Sequence, residues 1–208
     1  MGDRVRVCVY CASSEAVDPA YRRVAADLGR AIADAGWDLV YGGGNIGLMG
    51  EVARAALAAG AHVTGIIPHR LSTREIALRE VSELIEVDTM RERKALMDER
   101  SDAFVVLPGG IGTVEELVEM ITLKQLGWHE RAIVVLDTQG FWDPLLEQFQ
   151  RMVDERLAEP SLLELFQVTR DVPGTIAALR AYRPPAAHVP TAADRDAELE
   201  IVEEQPGD

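Results

Sequence analysis

Seven short apolar runs rich in β-branched residues, at 4–10, 37–41, 61–67, 84–87, 103–107, 132–136 and 165–169, alternate with longer amphipathic stretches. The stretches lie at 19–35, 46–59, 90–101, 114–126, 142–157 and 174–182. Strands that are apolar nearly throughout have both faces buried, and strands alternating with helices are joined by crossovers. The pattern therefore predicts an α/β fold of three layers: a parallel sheet of about seven strands with helices on both faces. Ligands of such sheets bind at the carboxyl ends of the strands.

Periodicity stops at Arg183-Pro184-Pro185, so residues 1–183 read as one domain and 184–208 as a flexible tail. From Ala192 to Asp208 the tail carries seven acidic residues against one arginine. The whole chain has a formal charge of −14, which argues against a nucleic-acid binder but leaves room for a small anion in a locally basic pocket. No run approaches the roughly 18 apolar residues of a membrane span, and the N-terminus lacks a signal peptide's apolar stretch. With only Cys8 and Cys11, the chain reads as cytoplasmic.

Two glycine-rich turns stand out. The first, Gly42 to Gly50, contains G-x-G-x-x-G at Gly42, Gly44 and Gly47. A dinucleotide site needs an acidic residue at the end of the following strand, where Ile66-Ile67-Pro68-His69 has none. The turn also follows the second strand rather than the first, so an oxidoreductase is rejected. The second turn, Pro108-Gly109-Gly110-Ile111-Gly112-Thr113-Val114-Glu115-Glu116, lets backbone N–H groups converge where a helix begins. That suits a phosphate. Without G-K-[ST] it is no triphosphate loop. Thr113 and Glu116 also fit a T-x-x-E capping box, so a cap and a chemical role for Glu116 both stand at this point. On the helical wheel Val114, Leu117, Val118 and Ile121 form an apolar arc, with Glu115, Glu116, Glu119 and Thr122 on the other side.

Ahead of this turn, Thr89 and Glu92 form a second possible capping box, and Met90, Arg93, Lys94 and Met97 share a helix face. Their stems could simply cover the core with the charged heads in water. Projecting from the carboxyl end of a strand, they could equally bind an anion. Cys8 and Cys11 have C-x-x-C spacing, but Cys8 lies inside a strand rather than at a helix N-terminus, and the pair reads as buried packing. His62, His69, His129 and His188 lack ligand spacing, so no metal is expected. Lys94 and Lys124 are the only lysines, and neither has a motif for a pyridoxal phosphate Schiff base; no cofactor is expected.

Pro108-Gly109-Gly110-x-Gly112-Thr113-x-Glu115-Glu116 and Met90-x-x-Arg93-Lys94 resemble the paired signatures of the Lonely Guy (LOG) family. Tyr41-Gly42-Gly43-Gly44, Gly47-Leu48-Met49-Gly50 and Val9-Tyr10-Cys11-Ala12-Ser13-Ser14 look like further family elements, and the resemblance runs from about Val5 to Tyr182. It implies a Rossmann-like fold and a homodimer with sites near the subunit interface. The activity implied is hydrolysis of the N-glycosidic bond of an adenosine 5′-monophosphate, often N6-prenylated, to free base and ribose 5-phosphate. On the resemblance, Arg93 and Glu116 are the catalytic pair. Glu75, Lys94, Gly110, Ile111, Gly112, Thr113, Val114, Glu115 and Thr122 fall at substrate contacts, together with the catalytic pair. Two departures are Ala12, where the family commonly has Gly, and the acidic tail.

Cleavage at C1′ passes through an oxocarbenium-like state, which a carboxylate stabilises. Glu116 is the expected carboxylate and general base, Arg93 the cation beside it, and Glu75 a candidate to assist the departing purine. Two other functions compete: an AMP or purine-nucleotide nucleosidase of salvage, and a non-catalytic nucleotide or cofactor carrier of the same fold.

Overall fold

A computed structural model describes residues 4–72 and 77–184. Its strands are β1 (Arg6–Tyr10), β2 (Asp38–Tyr41), β3 (Val63–Pro68), β4 (Glu83–Val87), β5 (Ala103–Val106), β6 (Ala132–Leu136) and β7 (Gln167–Thr169). Between and after them come α1 (Pro19–Asp34), α2 (Gly47–Ala58), the single turn α3 (His69–Ser72), α4 (Met90–Glu99), α5 (Ile111–Gln125), α6 (Asp143–Asp154) and α7 (Val172–Ala181). The expected α/β architecture holds: all seven strands are parallel, in the order β4-β3-β2-β1-β5-β6-β7.

Alternation along each strand distributes side chains between two cores. Val7, Val9, Leu39 and Tyr41 pack under α1 and α2, with α7 adding Val172, Ile176 and Leu179. Cys8, Tyr10, Phe104 and Val106 face the other way, against Met97 of α4, Leu117 and Met120 of α5, and Phe149 of α6. The ring of Tyr10 stacks on that of Phe104 with centroids 6.0 Å apart, fixing the strand pair at the centre of the sheet.

Strand order positions the site. The chain builds β1 to β4 outward to one edge, then returns to place β5 on the free side of β1. The helices following β1 and β5 therefore lie on opposite faces, and a crevice opens between the carboxyl ends of these two strands. Backbone bonds close it below: Leu107 N donates to Tyr10 O at 2.9 Å and Ala12 N to Pro108 O at 3.1 Å. Ala12 O in turn accepts from Leu48 N at 2.9 Å, so the departure from glycine at position 12 leaves these backbone links intact.

Differences from the sequence expectation are local. The turn α3 and two 3-10 turns, Thr138–Gly140 and Pro160–Glu164, are too short to show a period. Helix α5 starts at Ile111, not Val114. Glu75 and the acidic stretch from 185 onward lie outside the described residues. Among the described residues, no helix is long and apolar enough to cross a membrane.

Candidate active site

Helix α4 is fixed at its start by the anticipated capping box. Glu92 N donates to Thr89 Oγ1 at 3.1 Å, and Thr89 N returns to Glu92 Oε2 at 3.2 Å. This start sets the helix phase, leaving Arg91 and Glu92 in solvent and turning Arg93 inward, where it is only 9% exposed. The head of Arg93 is not in water above the core. Its Nε donates to Ile66 O at 3.1 Å and its Nη2 to Gly42 O at 3.0 Å.

The first glycine turn holds the opposite wall. Gly47 opens α2 at φ 61°, and a Cβ there would lie 2.6 Å from Ser14 O, so the loop after β1 can fold directly against the helix. The second turn ends in α5, whose N-cap is Gly110 in extended conformation with no side-chain cap. Thr113 is thus the third residue of the helix, with its side chain buried against Gly109. Glu116 stands a further turn in and caps nothing, which removes the capping-box reading of the T-x-x-E pattern.

Arg93 and Glu116 line one cavity of about 310 Å³ in the crevice between β1 and β5. Val9 to Ser13, Met49, Met90 and Met97 form the rest of the wall with Gly110 to Thr113 and Glu115. Burial pushes the Glu116 carboxyl from an ordinary 4.5 up to about 7; the nearby Arg93 charge opposes this, and Glu115 adds to it. A carboxyl poised near neutrality beside a fixed cation can exchange a proton in the physiological range.

Other expected site residues fall differently. The Lys94 amine turns to the carboxylates of Glu115 and Glu119 on α5 and ties the two helices together. Val114 packs towards the core rather than the cavity, and the exposed Thr122 donates its hydroxyl to Val118 O at 2.8 Å. Val118, placed on the apolar arc, is 39% exposed. Cys8 and Cys11 are free and buried, and burial pushes the Cys8 thiol up to about 12, in keeping with packing. Among the described residues no group of three potential ligands could hold a metal ion. The sequence reading missed the roles of Tyr10 and Met49 as wall and of the Gly42 and Ile66 carbonyls as the arginine's seat; carbonyls carry no sequence signal.

A family model described as "Possible lysine decarboxylase" matches residues 49–179, a span that includes both Arg93 and Glu116. The chain is 45% identical over 179 residues to the probable cytokinin riboside 5′-monophosphate phosphoribohydrolase LOGL9 of Oryza sativa subsp. japonica, covering 86% of this chain and 79% of that protein. It is 41% identical to the cytokinin riboside 5′-monophosphate phosphoribohydrolase LOG2 of Arabidopsis thaliana, covering 86% and 84%. Among solved structures, the molybdenum cofactor carrier protein of Chlamydomonas reinhardtii is similar with a TM-score of 0.66 and 25% identity, over 86% of this chain and 97% of that one. The DNA processing protein A of Helicobacter pylori shares the fold alone, with a TM-score of 0.60 and 14% identity over 86% and 82%. A family match across most of the domain, and relatives above 40% identity that retain nearly its full length, place this chain in the LOG family.

Proposed function

We propose that this chain hydrolyses the N-glycosidic bond of N6-substituted adenosine 5′-monophosphates, releasing the free base and ribose 5-phosphate. The observation that carries the reading is the pairing, in one cavity, of a partly buried carboxyl near neutrality with a buried guanidinium. Family membership and the relatives' names agree with it. Neither lysine lines this cavity, which speaks against an amine-based decarboxylation.

The start of α5 suits the phosphate. The first helical bond runs from Val114 N to Gly110 O, so the amides of Ile111, Gly112 and Thr113 have no acceptor within the helix. Side chains at Gly110 and Gly112 would project into open space, and glycine keeps that rim accessible to an anion. With the phosphate anchored, C1′ is held beside Glu116. As the C1′–N9 bond breaks, positive charge grows on the sugar and the carboxylate stabilises it. Water attacks C1′ and gives a proton to Glu116; the base departs with the bonding pair and takes a proton from solvent, and Glu116 then releases its own proton to solvent. Arg93 opposes the upward shift of Glu116, favouring the carboxylate this step needs, and offers its remaining donors to the substrate.

Incubation with AMP and with N6-isopentenyl-AMP, following base and ribose 5-phosphate by chromatography, tests the reading. Faster release from the prenylated nucleotide is expected. A preference for AMP indicates purine salvage, and tight binding without release puts the carrier reading ahead.

The active form is a homodimer. Met90 on α4, Val118 on α5 and Trp128 just beyond α5 are large apolar side chains 48%, 39% and 74% exposed, which favours a second copy against this side of the molecule. The substrate contact that the family resemblance assigns to Thr122 is then made across the interface. Sedimentation at the mass of a single chain overturns this assignment.

A further inference from the structure

We infer that Gly42 is the positioning residue for Arg93: it seats the guanidinium on backbone carbonyls, so that the cation enters the cavity with its charge unneutralised. The inference rests on the role given to Arg93 above, but its principal test does not.

A guanidinium has five N–H donors and is always charged, and burying it demands partners. A carboxylate partner would meet that demand and cancel the charge. Here the seat consists of two neutral acceptors, the carbonyls of Gly42 just after β2 and of Ile66 within the neighbouring β3. They use two donors, leaving about three for a ligand, and among the described residues the further contact at Nη1 is the weak acceptor Met90 Sδ at 3.9 Å. Arg93 is thus fixed in direction while remaining a full positive charge.

The seat exists because position 42 has no side chain. A Cβ on Gly42 would lie 1.8 Å from Arg93 Nη2 and 2.9 Å from Cζ. The turn itself makes no such demand. Gly43 and Gly47 have φ of 74° and 61°, whereas Gly42 is not among the residues at positive φ. The glycine opening the G-x-G-x-x-G pattern is therefore required by an arginine 51 positions later in the chain, and not by a dinucleotide or by backbone conformation.

A double-mutant cycle on thermal midpoints tests this. Gly42→Ala should lower the midpoint by at least about 5 °C in the otherwise unchanged protein. In an Arg93→Ala background, where the arginine tip is gone and the flexible Met49 Sδ at 3.2 Å needs to give only slightly, the same change should move it by much less, under about 2 °C. Equal losses in both backgrounds would mean that the turn needs glycine for its own sake, and would overturn the proposal. So would no loss in either. Because this readout is independent of catalysis, it survives even if the hydrolase reading fails.

Kinetics supply the second arm. Gly42→Ala should reduce kcat/KM at least about a hundredfold, and Gly42→Ala/Arg93→Ala should lose no more than Arg93→Ala alone. The acidic limb of the pH profile should move to higher pH as Glu116 loses its neighbouring cation. An active Gly42→Ala enzyme with an unmoved limb also overturns the assignment. If Gly42→Ala alone fails to fold, recovery of folding on adding Arg93→Ala supports it, and continued failure counts against it.

Discussion

Glu116→Gln is expected to reduce turnover by roughly two to four orders of magnitude and, at the same time, to make the protein more stable at neutral pH. Both effects come from one carboxyl. In the folded chain it titrates near 7, whereas its ordinary value is 4.5. Between those values the folded state holds a proton that the unfolded state has released, so stability falls as pH rises through this window. The penalty is complete above 7 and amounts to at most about 3 kcal/mol. Gln never ionises and escapes it. Melting curves of the two proteins should therefore coincide below about pH 4.5 and separate above pH 7, with the variant higher. Wild-type activity should rise with pH through about 7 as the carboxylate forms. Retained turnover in Glu116→Gln would remove the residue from the chemistry. A lower midpoint at pH 8 would mean that the carboxylate supports the fold.

Arg170→Met is expected to destabilise the fold by about 3 kcal/mol, lowering the thermal midpoint by roughly 6–12 °C, although the arginine side chain is 61% exposed. An ordinary surface ion pair contributes about 1 kcal/mol or less. This one differs because its partner, Asp137 at the end of β6, has a fully buried side chain. Asp137 Oδ1 accepts from Trp142 N at 2.9 Å and Oδ2 faces Arg170, so removing the arginine leaves a buried carboxylate without its counter-charge. Adding Asp137→Asn, which keeps an acceptor for Trp142 N but carries no charge, should recover at least about half of the loss. Calorimetry of the three proteins decides. A loss below about 1 kcal/mol for the single variant would show that solvent screens the pair like any other.

The sheet was legible in the sequence because parallel strands bury both faces, and runs such as Ala132–Leu136 read as continuously apolar. The start of α4 was legible because Thr89 and Glu92 cap it with side chains, which have sequence identity. The start of α5 was not: a glycine N-cap leaves no side-chain signature, and Thr113 three residues later mimics one. The same limit applies to the site. Spacing put Arg93 and Lys94 on one face, yet Arg93 turns under the strands while Lys94 reaches across to Glu115 and Glu119. One helical step separates them by about 100°, enough to send one into the cavity and the other to a neighbouring helix. The carbonyls that decide the matter belong to Gly42 and Ile66, and any residue supplies a carbonyl.

The pairing of β1 with β5 brings Tyr10 beside Val106, a partner lying far down the chain. It is also the seam between the two halves of the sheet, and the cavity lies along it. The first half, with the helix α4 packed on it, contributes the arginine and its seat, and the second contributes the carboxylate. Neither half contains a working site, and bringing them together requires one of the more distant chain closures in the molecule. Binding competence therefore requires that closure to have been made. A ligand held across this seam favours the joined state over any half-assembled one, so occupancy and the integrity of the whole sheet rise and fall together.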